Sequence, residues 1–355
     1  MAAVRVLVVD DSAFMRVMIS RLLGQDPALE VVGVARDGEE ALAQVKALCP
    51  DVITLDVEMP KMGGLEFLSR LMAYRPTPVV MLSSLTQAGA EITVEALGLG
   101  AVDFVPKPSQ ATAIHQVANE LVTKVKRASK AKVTPLPPSR EPERLRSPLD
   151  SARFAQVTAE VASWDRVLII GASTGGPRAL RHVLKALPGD LPAAVLIVQH
   201  MPPGFTRSLA QHLDQCAALQ VREAVAGDRL ERGVALVAPG GYHMIPDRDG
   251  GIRLDQGPAV NGVRPSVDVT LLGAAAVHGG RAIAVVLTGM GHDGTDGARA
   301  LKRAGGIVLA EHESTCVVYG MPRSVIEAGL ADEVVPLDQM AEAIIRHLNP
   351  ASAGG

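Results

Sequence analysis

The chain has few cysteines, few aromatic residues and little excess charge. Its three cysteines, Cys49, Cys216 and Cys316, are far apart and form no C-x-x-C pair. That argues against a disulfide framework or a zinc site and is typical of a reducing compartment. A formal net charge of −3 over 355 residues gives no reason to expect a nucleic acid partner. Aromatic residues make up only 3% of the chain, whereas Val, Leu and Ala are abundant, as in soluble α/β proteins.

Long hydrophobic runs are also lacking. No uninterrupted apolar run reaches the ~18 residues that a membrane span needs. The N-terminal stretch MAAVRVLVVDDS passes directly into a strand-like run followed by acids, which is unlike a signal peptide. We therefore expect a cytoplasmic protein that does not insert into a membrane. A chain of this length is expected to form two domains.

The first 125 residues alternate between apolar, strand-like runs and helix-like segments. Helices are predicted at Ala13–Leu23, Gly38–Ala47 and Leu65–Ala73. The strand-like runs number five: Val4–Val9, Val31–Ala35, Val52–Leu55, Val79–Leu82 and Val102–Val105. This alternation predicts a doubly wound, parallel α/β sheet with helices on both faces.

Polar residues follow four of these strands, and in a parallel sheet such strand ends gather at one edge. They are Asp10 and Asp11 after the first strand, Asp56 after the third, Ser83 and Ser84 after the fourth, and Lys107 after the fifth. Clustered carboxylates repel one another, and a hard divalent cation such as Mg²⁺ relieves that cost. Any single acid could instead cap a helix or lie in a solvated loop. The whole set predicts a site where Asp56 accepts a phosphoryl group.

The motifs VVDDS, LDVEMPKMGG, MLSS and DFVPKP resemble those of receiver domains of two-component response regulators, over residues 1–125. The resemblance implies a flavodoxin-like fold in which Asp56 is phosphorylated by a histidine kinase. It also implies that Mg²⁺ is bound by Asp10, Asp11, Asp56 and the backbone carbonyl of Glu58. Ser83 and Lys107 would contact the phosphoryl group, and Phe104 would be the switching aromatic residue.

A linker is predicted over residues 126–162. Basic residues open this stretch, and five prolines between Pro135 and Pro148 follow. Prolines at this density break helices and favour extended backbone. The basic run could bind a nucleic acid or a membrane, but interleaved acids and the lack of aromatic residues favour a solvated helix end.

A second α/β domain is predicted over residues 163–350. Helices are predicted at Arg178–Ala186, Thr206–Leu213, Val267–Val277 and Gly297–Ala304, and a hairpin over Tyr242–Leu254. The strand candidates are Val167–Ile170, Ala194–Val198, Val234–Val237, Ile283–Leu287 and Ile307–Leu309. The pattern again predicts a mainly parallel sheet.

The first strand of this domain runs into the glycine-rich turn Gly171–Gly176, GASTGG. Such a turn can bind a phosphate through its backbone N–H groups or expose a nucleophilic serine. The dinucleotide fingerprint G-x-G-x-x-G requires a glycine where Ser173 stands, and an acid where His200 ends the next strand. Both departures weaken the interpretation as a nucleotide-binding turn and favour Ser173 as a nucleophile.

A nucleophilic serine needs a base and a group that orients the base. His200 is the candidate base and Asp293, in the loop VVLTGMGHDGTDG, the candidate orienting carboxylate. The glycines of that loop can present N–H groups as an oxyanion hole. His292 and Asp296 are rivals for the two roles. Each residue also has a structural explanation: Ser173 or Asp293 could cap a helix, and His200 could lie in a turn.

IGASTGGP, QHM, APGGYHM, RPSVD and LTGMGHDGTDG resemble the catalytic domain of chemotaxis protein-glutamate methylesterases, a family that joins a receiver to this domain. The resemblance implies a Rossmann-like fold in which Ser173 is the nucleophile, His200 the general base and Asp293 the orienting carboxylate, with the Met290 N–H as oxyanion donor. His292 stands where Asn is common in the family.

The same resemblance implies the reaction and its control. The substrates would be glutamate methyl esters on the cytoplasmic helices of chemoreceptors, with methanol released, and receptor glutamines would be deamidated. The unphosphorylated receiver would inhibit the catalytic domain, which would use no cofactor. The alternative is a response regulator whose second domain only binds a ligand or a protein.

Overall fold

The computed structural model describes residues 2–84, 86–107, 114–133 and 166–349. The chain divides into two compact units, one built on each of two parallel sheets. Most of the predicted linker, from residue 134 onward, lies outside the described residues, and the domain boundaries at 125 and 163 stay predictions.

The first sheet has the strand order β2-β1-β3-β4-β5, and every pair is parallel. Burial is complete or nearly so along β3 and β4, because helices cover both faces of the sheet. The strands are β1 (Val4–Val9), β2 (Leu29–Ala35), β3 (Val52–Asp56), β4 (Val79–Ser83) and β5 (Asp103–Pro106). The predicted five-stranded parallel sheet is confirmed, with bounds shifted by one or two residues.

Side chains just before three of its helices satisfy the free N–H groups of the first turn. Ser12, Asp37 and Thr86 each accept a hydrogen bond from the backbone N–H three residues later. The helices are α1 (Ala13–Leu23), α2 (Gly38–Leu48), α3 (Gly64–Tyr74), α4 (Gln87–Leu99) and α5 (Ile114–Ala128).

The second sheet has seven parallel strands in the order β14-β13-β12-β6-β7-β9-β8. Two of them were not predicted: β8 and β14 lie at the sheet edges, and their short, partly charged sequences carry little strand signal. The strands are β6 (Val167–Ala172), β7 (Ala194–Gln199), β8 (Gln220–Glu223), β9 (Val234–Val237), β12 (Ala282–Val286), β13 (Ile307–Glu311) and β14 (Glu333–Val335). The predicted hairpin is confirmed as the antiparallel pair β10 (His243–Pro246) and β11 (Ile252–Asp255).

Two predicted helices begin two residues earlier than expected. The helix after the Ser173 turn begins at Gly176, because a proline such as Pro177 is tolerated in the first helical turn. The helix of the Asp293 loop begins at Thr295 rather than Gly297. The helices of this unit are α6 (Gly176–Ala186), α7 (Phe205–Asp214), α8 (Val267–His278), α9 (Thr295–Arg303), α10 (Met321–Glu327) and α11 (Met340–Leu348).

Each sheet reverses its strand order at one place, and such switch points open a crevice at the carboxyl ends of the strands. The reversal lies between β1 and β3 in the first sheet and between β6 and β12 in the second. Asp10 and Asp56 therefore face one crevice, and Ser173 and the loop after β12 face the other. Among the described helices, none combines the length and apolar character needed to cross a bilayer.

Candidate functional site

The carboxylates of Asp10, Asp11 and Asp56 meet at the carboxyl edge of the first sheet. They can each offer an oxygen within 4.8 Å of the others. Lys107 lies among them, with Nζ 2.7 Å from Asp56 Oδ2 and 3.1 Å from Asp10 Oδ2. The positions of these residues at strand ends predict this grouping from the sequence.

The cluster has the donor set that Mg²⁺ prefers: three carboxylates, of which Asp10 and Asp56 are buried and Asp11 is exposed. Burial raises the pKa of the Asp56 carboxyl above its ordinary value, and Asp10 adds to the rise, while Lys107 opposes it. Lys107 also loses hydration on burial, yet the two carboxylates raise the pKa of its ammonium. The residues therefore fit a divalent cation, which would offset the repulsion among the acids.

The other predicted receiver residues are placed as follows. Ser83 is fully buried, and its hydroxyl lies 3.1 Å from the Gly89 carbonyl and 2.6 Å from Thr93 Oγ1. It makes no hydrogen bond to Asp56 within the described chain. Phe104 is buried, with the Lys124 ammonium 5.0 Å from its ring centre. Glu58 is exposed two residues after Asp56, so its role as a carbonyl ligand stays a prediction.

Ser173 and His200 lie at neighbouring strand ends in the second sheet. Ala172 and Gln199, the residues before them, are partners in the parallel register of β6 and β7. The His200 N–H continues the ladder by donating to the Ala172 carbonyl at 3.1 Å. Neighbouring strands are about 4.8 Å apart, so the pairing brings the hydroxyl and the imidazole to the same crevice.

His200 is joined to Asp293 across that crevice. Its Nε2 lies 2.7 Å from Asp293 Oδ2, and the imidazole side chain is 9% exposed. An ionised carboxylate only accepts hydrogen bonds, so Nε2 carries the proton in this contact. With the ring neutral, Nδ1 is then unprotonated and free to act as a base.

The Asp293 carboxylate is buried among donors from the start of α8. Oδ1 accepts from the Ser266 hydroxyl at 2.7 Å and the Asp268 N–H at 3.1 Å, while Oδ2 accepts from the Val267 N–H at 2.7 Å. Burial alone would raise its pKa, but the hydrogen bonds from His200, Ser266 and Val267 hold the pKa of Asp293 below its ordinary value. The site therefore contains a fixed anion that is hydrogen-bonded to His200.

Two hydrogen bonds of its backbone hold Ser173 in place. Its N–H donates to the Thr288 carbonyl at 3.0 Å, and its carbonyl accepts from the amide Nε2 of the buried Gln199 at 2.9 Å. Both Ser173 and His200 are described, and no hydrogen bond joins the serine hydroxyl to the imidazole. Catalytic contacts of this kind often tighten only with substrate bound.

The loop after β12 passes directly over Ser173. A Cβ built on Gly289 would lie 2.8 Å from Ser173 Cβ, so only glycine fits there without a shift. The Gly289 carbonyl accepts the N–H groups of Gly320 and Met321. Because a trans peptide points its C=O and N–H in opposite directions, the Met290 N–H is directed away from those donors.

The two rival residues are placed outside this arrangement. His292 is exposed beside Asp293. Asp296 is exposed too and pairs with Arg299 on α9.

Four contributors to the site are not predicted from the sequence: Ser266, the first-turn N–H groups of α8, the Gln199 amide and the close fit of Gly289. Ser266 precedes α8 as a helix cap would, but its hydroxyl donates to Asp293 and makes no cap hydrogen bond with its own helix. The RPSVD motif carried the signal, although its sequence alone does not indicate which loop it meets.

Comparisons with known proteins cover nearly the whole chain. A sequence model of the family described as "CheB methylesterase" matches residues 168–344, and one described as "Response regulator receiver domain" matches residues 6–119. A protein-glutamate methylesterase/protein-glutamine glutaminase of Symbiobacterium thermophilum is 52% identical, covering 97% of this chain and 96% of the relative. One of Geobacillus kaustophilus is 50% identical, covering 98% and 99%.

Among solved structures, the CheB methylesterase catalytic domain of Thermotoga maritima is similar, with a TM-score of 0.50 and 46% identity. The match covers 52% of this chain and 99% of that domain. With both family models in order along the chain and relatives at about half identity over nearly all of it, the chain belongs to the protein-glutamate methylesterase/protein-glutamine glutaminase family of response regulators.

Proposed function

We propose that the second unit hydrolyses glutamate methyl esters on the cytoplasmic helices of chemoreceptors, with Ser173 as nucleophile. The observation that carries the proposal is the His200–Asp293 hydrogen bond at the strand end beside Ser173. A buried anion, an imidazole with one free nitrogen and a serine on a tight turn are the parts that acyl transfer requires.

In the first half-reaction, Ser173 Oγ attacks the γ-carbonyl carbon of the ester, and Nδ1 of His200 takes the hydroxyl proton. Asp293 stabilises the imidazolium through Nε2. The Met290 N–H donates to the oxyanion of the tetrahedral intermediate. When that intermediate collapses, the C–O bond to the methoxy group breaks, His200 returns the proton, and methanol leaves.

In the second half-reaction, a water molecule gives its proton to His200 and attacks the acyl-serine. Collapse restores the Ser173 hydroxyl and releases the glutamate carboxylate. A γ-carboxamide is attacked in the same way, with ammonia leaving instead of methanol, so receptor glutamines are a second substrate. Each turnover on either group adds one negative charge to the receptor helix.

The first unit is proposed to control this reaction. Asp56 accepts a phosphoryl group from a histidine kinase, and Lys107 and Ser83 contact that group. Asp10, Asp11, Asp56 and the Glu58 carbonyl would hold Mg²⁺, which neutralises phosphoryl charge when bound. The unphosphorylated receiver inhibits the catalytic domain, and phosphorylation, which adds about −1.5 to −2 charges, relieves the inhibition.

The test is methanol release from methylated receptor by the full chain, with and without a small phosphodonor. We expect Ser173→Ala to abolish release while Asp56 is still phosphorylated. Asp56→Asn is expected to keep the basal rate and lose the increase caused by the phosphodonor. Undiminished methanol release by Ser173→Ala would contradict the serine mechanism, whereas no methanol release by the unmodified chain would favour a second domain that binds without catalysing.

A further inference from the structure

The helices α8 and α9 exchange carboxylates at their N-termini. Asp293, just before α9, accepts the first-turn N–H groups of Val267 and Asp268 in α8. In return, Asp268 Oδ1 accepts the Gly294 N–H at 2.9 Å and the Gly297 N–H at 2.7 Å at the start of α9. Each helix is thus capped by a carboxylate from the other segment.

The exchange requires close packing of the two helices. A Cβ built on Gly297 would lie 2.5 Å from Leu271 Cβ and 3.0 Å from the Asp268 carbonyl oxygen. Asp268 is only 2% exposed. Water therefore has little access to the Gly294 and Gly297 N–H groups, and without the carboxylate they would remain buried and unsatisfied, which is unfavourable.

The second oxygen of Asp268 is also held. Asn261 donates from Nδ2 to Oδ2 at 2.9 Å. Asn261 has φ 54°, a left-handed conformation that asparagine tolerates better than most residues. Asp268 makes no hydrogen bond to Ser173 or His200 in the described chain, so any effect on the reaction must act through Asp293 and its loop.

We propose that Asp268 is a positioning residue of the esterase reaction, which fixes the loop that carries Asp293 and the Met290 N–H. This inference rests on the proposed function of Ser173. The Asp268 carboxylate binds the backbone on the C-terminal side of Asp293, and the Gly320 and Met321 N–H groups bind the loop at Gly289. The loop is also held at Asp293 by Ser266 and the first turn of α8. Loss of the Asp268 contacts frees the side of the loop that follows Asp293.

The consequence falls on kcat rather than KM, because the loop orients reacting groups and the Asp268 side chain is shielded from substrate. A displacement of about 1 Å can cost on the order of 10²-fold in rate. Asparagine keeps an oxygen for the Gly294 and Gly297 N–H groups, and its NH₂ can donate to the Asn261 side-chain oxygen once that amide turns over. Serine can accept from at most one of them at its shorter reach, and alanine from neither. We expect kcat to fall from the unmodified chain to Asp268→Asn, then Asp268→Ser, then Asp268→Ala.

The experiment measures methanol release by phosphodonor-activated full chain for Asp268→Asn, Asp268→Ser and Asp268→Ala. We expect Asn within about threefold of the unmodified chain and Ala about 10- to 100-fold lower in kcat, with KM unchanged. Asp214→Ala is the matched control. It removes another carboxylate–backbone bond, to the Val221 N–H at 2.7 Å, and should lower stability without lowering kcat.

The outcomes separate the two ideas. If the unmodified chain, Asp268→Ser and Asp268→Ala have equal kcat while Ser173→Ala is inactive, only the positioning role is overturned. Activity in Ser173→Ala overturns the proposed function. If Asp268→Ala does not fold, Asp268→Ser is compared with Asp268→Asn. A kcat of Asp268→Ser about fivefold or more below that of Asp268→Asn, at equal KM, supports the positioning role. Equal kcat in these two variants overturns it.

Discussion

Nε2 of His200, rather than Nδ1, binds Asp293, at 2.7 Å from Oδ2. In the serine protease triad the orienting carboxylate binds Nδ1, and Nε2 is the base. Here the ring is reversed, so Nδ1 is the nitrogen available to Ser173. Under the proposed mechanism, the same three side-chain types would act with the opposite tautomer of histidine, which the register of β6 and β7 permits by placing His200 beside Ser173.

Asp293→Asn should lower kcat by about 10⁴-fold. Either orientation of the new amide places an NH₂ against a donor, because both carboxylate oxygens accept backbone N–H groups of α8. An NH₂ facing Nε2 would also favour the tautomer with its proton on Nδ1, which cannot act as a base. Methanol release from methylated receptor measures kcat, and ¹⁵N NMR of the His200 ring reports the tautomer.

The matched control is Asp296→Asn, which removes the next acid of the same loop. Asp296 is exposed and pairs with Arg299, so kcat should be unchanged. An Asp293→Asn form with a kcat within about tenfold of the unmodified chain would show that the carboxylate does not orient the base.

Gly289→Ala should slow the reaction without abolishing the fold. Its Cβ would meet Met321 Sδ at 2.4 Å and Ser173 Cβ at 2.8 Å. The methionine can move, but Ser173 is held by backbone hydrogen bonds, so the crowding displaces the nucleophile or the Met290 N–H. We expect kcat to fall by about 10²-fold, as measured by methanol release.

Gly329→Ala separates crowding from backbone strain. Gly329 has φ 66° and no atom within 4 Å of a built Cβ, so alanine there adds strain alone. It should cost about 1 kcal/mol of stability and leave kcat per folded molecule unchanged. Equal losses of kcat in the two variants would contradict the crowding explanation.

Mg²⁺ should raise the melting temperature of the unmodified chain and not that of Asp11→Asn. Ligand binding to the native state alone stabilises it by about 2.7 kcal/mol at a hundredfold excess over Kd. The comparison is made with and without Mg²⁺ for each variant, because removing Asp11 also relieves repulsion among the acids. Glu95→Gln, at an exposed acid of α4, is the control that should keep the shift. Equal shifts in Asp11→Asn and the unmodified chain would place the cation elsewhere.

Much of this architecture could be predicted from local sequence patterns. Continuous apolar runs such as Val167–Ile170 indicated the buried parallel strands, and the residues after them indicated which side chains would share a sheet edge. The carboxylates and Lys107 of the first unit were grouped correctly by this argument. The edge strands β8 and β14 were missed, since three or four residues with charged side chains carry no such pattern.

The supporting contacts could not be predicted, because they depend on which loops meet in space. Nothing local to Asp268 indicates that its carboxylate reaches the start of another helix 26 residues later. The direction of the Ser83 hydroxyl, toward Gly89 and Thr93, likewise depends on how β4 packs against α4. The strand pattern indicates where functional groups gather, whereas tertiary packing decides which of their atoms bind.

The two buried carboxylates of the helix exchange have pKa values shifted in opposite directions, which makes stability depend on pH. Burial raises the pKa of Asp268 from 3.8 to about 6. Asp293 and Asp296, the acids that face it, add to the rise, and the Gly297 N–H opposes it. An acid whose pKa is raised by folding binds its proton more tightly in the native state. Between pH 3.8 and about 6 the native chain therefore holds a proton that the unfolded chain has lost, and stability falls as pH rises.

We accordingly expect the unfolding free energy of the unmodified chain, relative to Asp268→Asn, to decrease from pH 4 to pH 6 and then level off. Asp293 has the opposite sign: its pKa is lowered, so its contribution is present above 3.8 and is lost as pH falls further. Because Asp293 also raises the pKa of Asp268, the difference from Asp293→Asn should decrease less steeply over the same range than the difference from Asp268→Asn. Urea unfolding from pH 4 to pH 8 measures both, and an Asp268→Asn difference that is flat or rises with pH would show that Asp268 is ionised throughout.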